Sequence, residues 1–283
     1  LFDGDLDDPA RTVAAANRLT GEGPARLTSL KPILAEMDKL IAVAGGAQRK
    51  ALCVARAEMS AFGLGAGAIH LRVNASQVRS AVQADLGLEA SADFMDRRAM
   101  DAAAERSAGA VREAVNFGAV FQEKMTARRQ LMLAAQIFKH IDADAPIRFL
   151  IAEVEAPATI MGAIYLARLY GVEDRLDVSP LFETPDVIER GGRIMERLLD
   201  EPEYVAYVTR RGRLCVQYGF SDSGRFMGQV AADIAVERLH VLLSRAMAGR
   251  GVKDVEALVF NTHGESMGRG AYPGTMAQRL DYL

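Results

Sequence analysis

Two acidic residues lie just past the ends of two short apolar runs. Glu183 closes Asp177-Val-Ser-Pro-Leu-Phe-Glu-Thr, and Asp222 follows Leu214-Cys-Val-Gln-Tyr-Gly-Phe-Ser. Runs this short, rich in Val, Leu, Phe and Tyr and followed by helix-like sequence, read as buried parallel strands. Carboxylates at the carboxyl ends of such strands converge on one rim, where a hard divalent cation can bind. A third run, Glu256-Ala-Leu-Val-Phe-Asn, leads into His263-Gly-Glu-Ser-Met-Gly-Arg-Gly, a glycine-rich loop that carries Arg269. Carboxylates for a metal and a basic, glycine-rich loop suggest chemistry on a phosphorylated or carboxylated anion. Each acid also has a plainer reading. Glu183 or Asp222 can cap the helix that follows it, and the glycine-rich loop can be a surface turn, since it matches neither a P-loop nor a dinucleotide fingerprint.

The elements that must position these groups come from proline, glycine and periodicity. Residues 27–62 have helical periodicity, and Gly63-Leu-Gly-Ala-Gly leads to a strand over Ala68–Val73 that ends near Arg72. The spacing of the glycines suggests close packing of helix on strand. Residues 75–141, without proline, read as almost wholly helical. From there strands and helices alternate: strand from Ile147, helix Pro157–Tyr170, strand Leu176–Glu183, helix Pro185–Leu199, strand Arg213–Gly219, helix Gly228–Ala248, strand Glu256–Asn261. That alternation predicts βαβ units on a parallel sheet. Polar residues gather at the carboxyl ends: Arg72, Glu153 with Glu155, Glu183, Asp222, and Asn261 with His263. A (β/α) barrel presents its active site in this way. Five strands do not close a barrel of eight, so either further strands lie outside this sequence or the sheet is open.

The chain has 283 residues, half of them apolar, and a formal charge of -3. It contains no long basic block and no Trp, which argues against nucleic acid as a partner. Cys53 and Cys215 are the only cysteines, both in apolar sequence. A disulfide framework or structural zinc is not expected, and a reducing cytoplasm fits. The most apolar stretch, Ala156 to Ala167, is too short for a bilayer. Methionines 95, 100, 125, 132, 161, 195, 227 and 247 suit core filling in helices. His70 alternates along a strand, and His140 and His240 lie on helices. The chain begins Leu-Phe-Asp-Gly-Asp, which suggests an excerpt of something longer.

Five segments, in order, resemble the phosphoenolpyruvate carboxylase family. Pro180 to Thr184 is identical to its Pro-Leu-Phe-Glu-Thr. Gly219-Phe-Ser-Asp-Ser-Gly-Arg-Phe-Met-Gly matches its Gly-Tyr-Ser-Asp-Ser-x-Lys-Asp-x-Gly. Phe260 to Ala271 looks like a rewritten Phe-His-Gly-Arg-Gly-Gly-Thr-Val-Gly-Arg-Gly-Gly loop. Phe62-Gly-Leu…Ile69-His-Leu-Arg-Val is similar to Phe-Gly-Leu…Leu-Asp-Ile-Arg-Gln, and Gly4-Asp-Leu-Asp-Asp-Pro resembles Gly-Gly-Asp-Arg-Asp-Gly-Asn-Pro.

The resemblance implies a predominantly helical α/β protein on a TIM-type (β/α)8 barrel, only part of it represented here. Residues 1–60 would form an acidic segment and helices, and 61–283 the partial barrel. It implies a cytoplasmic homo-oligomer, usually a tetramer. The implied reaction joins bicarbonate and phosphoenolpyruvate into oxaloacetate and phosphate, with Mg2+ or Mn2+. It makes Glu183 and Asp222 the metal ligands, Arg72, Arg225 and Arg269 the substrate-binding cations, and His263, with Arg225 and Arg269, catalytic. Leu6 stands where the family has arginine, Arg225 where it has lysine, and Phe226 where it has aspartate; Glu265 adds an acid where it has glycine. An ungapped match aligns Asn261 with the family histidine, whereas a gapped one keeps His263. The family's upstream Thr-Ala-His-Pro-Thr segment and its carboxyl-terminal half are not matched. These departures leave a second expectation open, a catalytically degenerate scaffold or regulatory protein.

Overall fold

The computed structural model describes residues 8–21, 23, 26–65, 67–261 and 274–282. The chain opens with three helices: α1 (Pro9–Thr20), α2 (Lys31–Val43) and α3 (Gly46–Phe62). Strand β1 (Ile69–Asn74) is followed by α4 (Ala75–Val82), α5 (Arg97–Ala108), α6 (Phe117–Gln122) and α7 (Thr126–His140). Then come β2 (Ile147–Ala152), α8 (Pro157–Leu169), β3 (Leu176–Phe182), α9 (Pro185–Leu199) and α10 (Pro202–Arg211). Strand β4 (Arg213–Tyr218), α11 (Phe220–Met227), α12 (Gln229–Gly249), β5 (Glu256–Asn261) and α13 (Met276–Tyr282) complete it.

The five described strands form one parallel sheet in the order β1-β2-β3-β4-β5. Parallel crossovers are right-handed. With no reversal of strand order, every crossover helix therefore falls on the same face. Side-chain alternation agrees: Leu71, Val73, Ile147, Phe149, Ile151, Leu176, Val178, Phe182, Leu214, Val216 and Tyr218 join the helices in one large core. Leu150, Ala152 and Leu181 form a separate small cluster on the other face. That second face is concave. Phe260 on β5 meets His70 on β1 edge-on, ring centroids 6.1 Å apart, and the Arg148 guanidinium of β2 lies 5.1 Å from the Phe260 centroid. In a flat sheet the first and fifth strands would be about 19 Å apart.

Local sequence explains the main elements. Helix α8 starts with Pro at its first position, where no N–H is needed, and nearly every residue along it is buried, as suits a helix apolar on all sides. Helix α9 is amphipathic, turning Val187, Ile188, Ile194, Met195 and Leu198 inward.

One seam interrupts the sheet. β3 and β4 pair only at their carboxyl ends, Leu181 with Gln217 and Phe182 with Tyr218. Beside the other end of β3, Tyr207 of α10 takes the place of a strand neighbour. Its hydroxyl accepts from the Val178 N–H (2.9 Å) and donates to the Leu176 carbonyl (2.7 Å). The amino-terminal ends of these strands also carry an ion cluster around the buried Asp177, with Arg211 at 2.6 Å and Arg213 at 3.6 Å.

Several expectations need correction. Residues 75–141 are not one helical stretch; the chain leaves the helix after Val82 and again after Ala108. Gly87, with φ +63, turns the first break, and Asp96 and Asn116 restart the helices as caps. Helices α10 and α11 were not foreseen. Cys53 is exposed, because α3 buries none of its residues, while Cys215 is buried; both are free thiols. Gly63 is not placed for tight packing: a Cβ there would come no nearer than 3.8 Å to Asp142, and its φ of +64 is what calls for glycine. Of the core methionines, Met125 is 45% exposed at the cap of α7. No helix among the described residues is long and apolar enough to cross a membrane.

Candidate active site

The carboxyl ends of β3 and β4 are stitched together. The Gly219 N–H donates to the Phe182 carbonyl at 2.8 Å. The Ser223 hydroxyl bonds both the Glu183 carbonyl (2.9 Å) and the Gly219 carbonyl (2.8 Å). Ser223 is fully buried. A Cβ on Gly219 would stand 2.5 Å from the Glu183 Cβ and 3.0 Å from its Cα, so only glycine fits.

This stitching fixes where the two acids emerge. Glu183 does not cap α9; Thr184 holds that position. Instead its Oε1 accepts the Glu153 backbone N–H at 3.3 Å. Asp222 does not cap α11 either, because Gly219 is the cap and Asp222 sits in the first turn. An acid there is favoured by the helix dipole. Both plainer readings of these residues therefore fail, and the carboxylates lie at one end of the sheet, Glu183 just past β3 and Asp222 in the helix that follows the neighbouring β4.

The charge of Asp222 is also felt at Glu183. Burial pushes the Glu183 carboxyl above its ordinary range. The Arg72 guanidinium and the Glu153 N–H pull it back, while the charges of Asp222 and Glu153 push it further up. A half-buried carboxylate facing two like charges gains from a cation. Mg2+ is commonly held by one or two carboxylates, the remaining positions going to water and substrate oxygens. Glu183 and Asp222 fit that donor set. Among the described residues no group of three or more His, Cys, Asp or Glu side chains is arranged to hold a metal.

Of the basic residues, Arg72 projects from β1, exposed, and makes no ion pair among the described residues. Arg225 is exposed on α11, its Nη1 3.3 Å from Asp222 Oδ1. The next residue, Phe226, is 68% exposed. His263, Arg269, Glu265 and Leu6 lie outside the described residues. The other histidines stand apart: His240 packs on Tyr218 with centroids 4.9 Å apart, and His140 ends α7.

Sequence reasoning missed Gly219, Ser223 and the backbone of Glu153. The Ser-Asp-Ser triplet carried a usable signal. A hydroxyl one residue beyond an acid at a strand end is placed to reach back to the strand carbonyls.

The family model for phosphoenolpyruvate carboxylase matches residues 37–278. The chain belongs to the phosphoenolpyruvate carboxylase family. The match takes in Arg72, Glu183, Asp222, Arg225, His263 and Arg269. Proteins named phosphoenolpyruvate carboxylase from Aeromonas hydrophila, Hahella chejuensis and Xanthomonas oryzae are similar to it. The first is 29% identical over 149 residues, 53% of this chain and 16% of the relative. The second is 31% identical over 129 residues, 46% of this chain and 14% of the relative. The third is 33% identical over 145 residues, 49% and 16%. The matched stretch thus spans roughly a sixth of the length of these curated relatives.

Proposed function

We infer that this chain is part of an enzyme that carboxylates phosphoenolpyruvate with bicarbonate, giving oxaloacetate and phosphate with Mg2+ or Mn2+. One observation carries the reading: Glu183 and Asp222 follow adjacent strands at the same end of the sheet, in segments tied through Gly219 and Ser223, and the charge of Arg72 reaches Glu183. The sequential strand order and the curl that brings Phe260 to His70 support an arc of an eight-stranded (β/α)8 barrel. On this reading residues 61–283 belong to the barrel and 1–60 to preceding helices. The family implies a cytoplasmic homo-oligomer.

The reaction needs three things from the chain. Bicarbonate attacks the phosphoryl group, the enol oxygen departs, and carboxyphosphate and the pyruvate enolate remain. Carboxyphosphate then splits to carbon dioxide and phosphate, and the enolate carbon attacks the carbon dioxide. Arg72, Arg225 and Arg269 would hold the substrate anions and steady the charge on the transferring phosphoryl group. Glu183 and Asp222 would hold the divalent ion, which when bound supplies charge stabilisation for the enolate oxygen. His263 would position or protonate. The site must also exclude water, because a protonated enolate is lost as pyruvate. Purified full-length protein is expected to form oxaloacetate dependent on both bicarbonate and Mn2+, and Asp222→Asn to abolish it. Inactivity with metal and substrates saturating would overturn this.

A second reading, a catalytically degenerate scaffold or regulatory protein, is favoured by Phe226 exposed on α11 and by Arg225 paired with Asp222. Calorimetry with Mn2+ and phosphoenolpyruvate separates the two, since a scaffold need show no metal-dependent uptake.

A further inference from the structure

At the end of β2 the chain takes an uncommon turn. Among the described residues only Glu153 and Asp254 have a positive φ without being glycine, and Glu153 has φ +56. Left-handed backbone is disfavoured for side chains with a Cβ. Here it serves a contact: the Glu153 N–H is aimed at Glu183 Oε1, 3.3 Å away. The Glu153 side chain is exposed, so it neither fills the core nor is fixed by packing. A third carboxylate therefore stands at the rim that carries Glu183 and Asp222.

We propose that Glu153 is a positioning and tuning residue for the cation site, aligning Glu183 through its backbone and raising cation affinity through its charge at the expense of the anionic substrate. The inference rests on Glu183 and Asp222 being the cation ligands. The local charges show why a third acid matters. Against Glu183 and Asp222 stand Arg72, whose field reaches Glu183, and Arg225, 3.3 Å from Asp222. Among the described residues those four groups balance, leaving little net pull on a divalent ion. Glu153 adds a negative charge beside the two ligands, and that charge is felt at Glu183. The same charge repels phosphoenolpyruvate, whose phosphate and carboxylate both carry negative charge. One side chain therefore moves the two affinities in opposite directions, which a purely structural residue does not do.

Three variants of the full-length protein test this: Glu153→Gln, Glu153→Gly and Glu153→Asp. Mn2+ affinity is measured by calorimetry without substrate, and phosphoenolpyruvate half-saturation at saturating Mn2+. Glu153→Gln and Glu153→Gly are expected to weaken Mn2+ binding about fivefold, less at high salt, because the lost charge is exposed. Both are expected to lower the half-saturation for phosphoenolpyruvate. Glycine accepts the left-handed backbone, so its agreement with glutamine isolates the charge. Aspartate keeps the charge and tolerates that backbone, and is expected to restore both values. Wild-type protein that takes up Mn2+ with Glu153→Gln equal to it overturns this inference alone. Wild-type protein that takes up no Mn2+ overturns the cation-site reading as well.

Discussion

Gly219 lies so close to Glu183 that one added carbon would stand 2.5 Å from the Glu183 Cβ. The neighbour it would strike is the stem of a side chain whose Cα is also within 3.0 Å, so a swing of the glutamate tip cannot relieve the clash. Gly219→Ala is expected to cost about 1–3 kcal/mol of stability, the usual range for overpacking. It should also push apart the ends of β3 and β4. Denaturant unfolding measures the first effect and Mn2+ calorimetry the second. A variant with wild-type stability and affinity would mean that the two strand ends are not locked together.

Ser223 reaches both strand ends with one hydroxyl and has no exposure to solvent. Ser223→Ala takes the hydroxyl donor from the Glu183 carbonyl, while the Gly219 carbonyl keeps the backbone N–H of residue 223, and it adds no bulk. About 1 kcal/mol of stability should be lost, and Mn2+ affinity should fall about tenfold, the scale of lost support behind a metal ligand. Ser223→Thr, which retains the hydroxyl, is expected to recover part of the affinity. Equal losses in the two variants would show that size at this position, not the hydroxyl, is what matters.

Asp144 anchors the helices before the sheet. Its carboxylate accepts from the Ser29 hydroxyl (2.6 Å) and the Leu30 N–H (2.9 Å) and lies 3.2 Å from Lys31. Burial alone would raise its pKa, but these partners outweigh burial and hold it below the ordinary value. A lowered folded-state pKa stabilises fully above the unfolded carboxylate pKa of about 3.9. That contribution disappears as pH falls through the folded value. Amide protection in α2, taken against the intrinsic rate at each pH, should therefore fall in acid before that of the core, and Asp144→Asn should show the same loss of protection at neutral pH. Identical α2 exchange in mutant and wild type would refute the anchor.

The two thiols should behave differently. Cys53 is exposed on α3. Cys215 is buried in β4, where burial pushes its pKa up to about 11. A thiol reagent in mildly alkaline buffer should modify Cys53 quickly and Cys215 only after denaturation. Rapid modification of both in the native protein would show that β4 is more open than described.

The β/α alternation after residue 145 was legible because proline and glycine mark the changes of element and each strand is a short, mostly apolar run. The strand Glu256–Asn261 and the helix Pro185–Leu199 were read at their observed limits. The stretch 75–141 was misread because Ala, Glu and Arg favour a helix as strongly in its breaks as in its helices, so composition hides the turn at Gly87. Helix α11 was hidden by Ser221, Asp222, Ser223 and Gly224, which read as loop. At the site, Glu183 and Asp222 were legible as acids at strand ends. The left-handed turn at Glu153 was not, since no local residue preference announces it.

The seam between β3 and β4 has a mechanical meaning. Their ladder is closed only at Leu181–Gln217 and Phe182–Tyr218, while the far end of β3 is plugged by a tyrosine hydroxyl. Such a joint behaves like a pair of tongs riveted at the tip. The two blades, β1 to β3 and β4 to β5, share ladder bonds at the rivet, while at the handles side chains hold them, among them the Asp177–Arg213 pair. The rivet is the spot where Glu183 and Gly219 meet, so the gap between the two acids changes least when the rest of the sheet breathes.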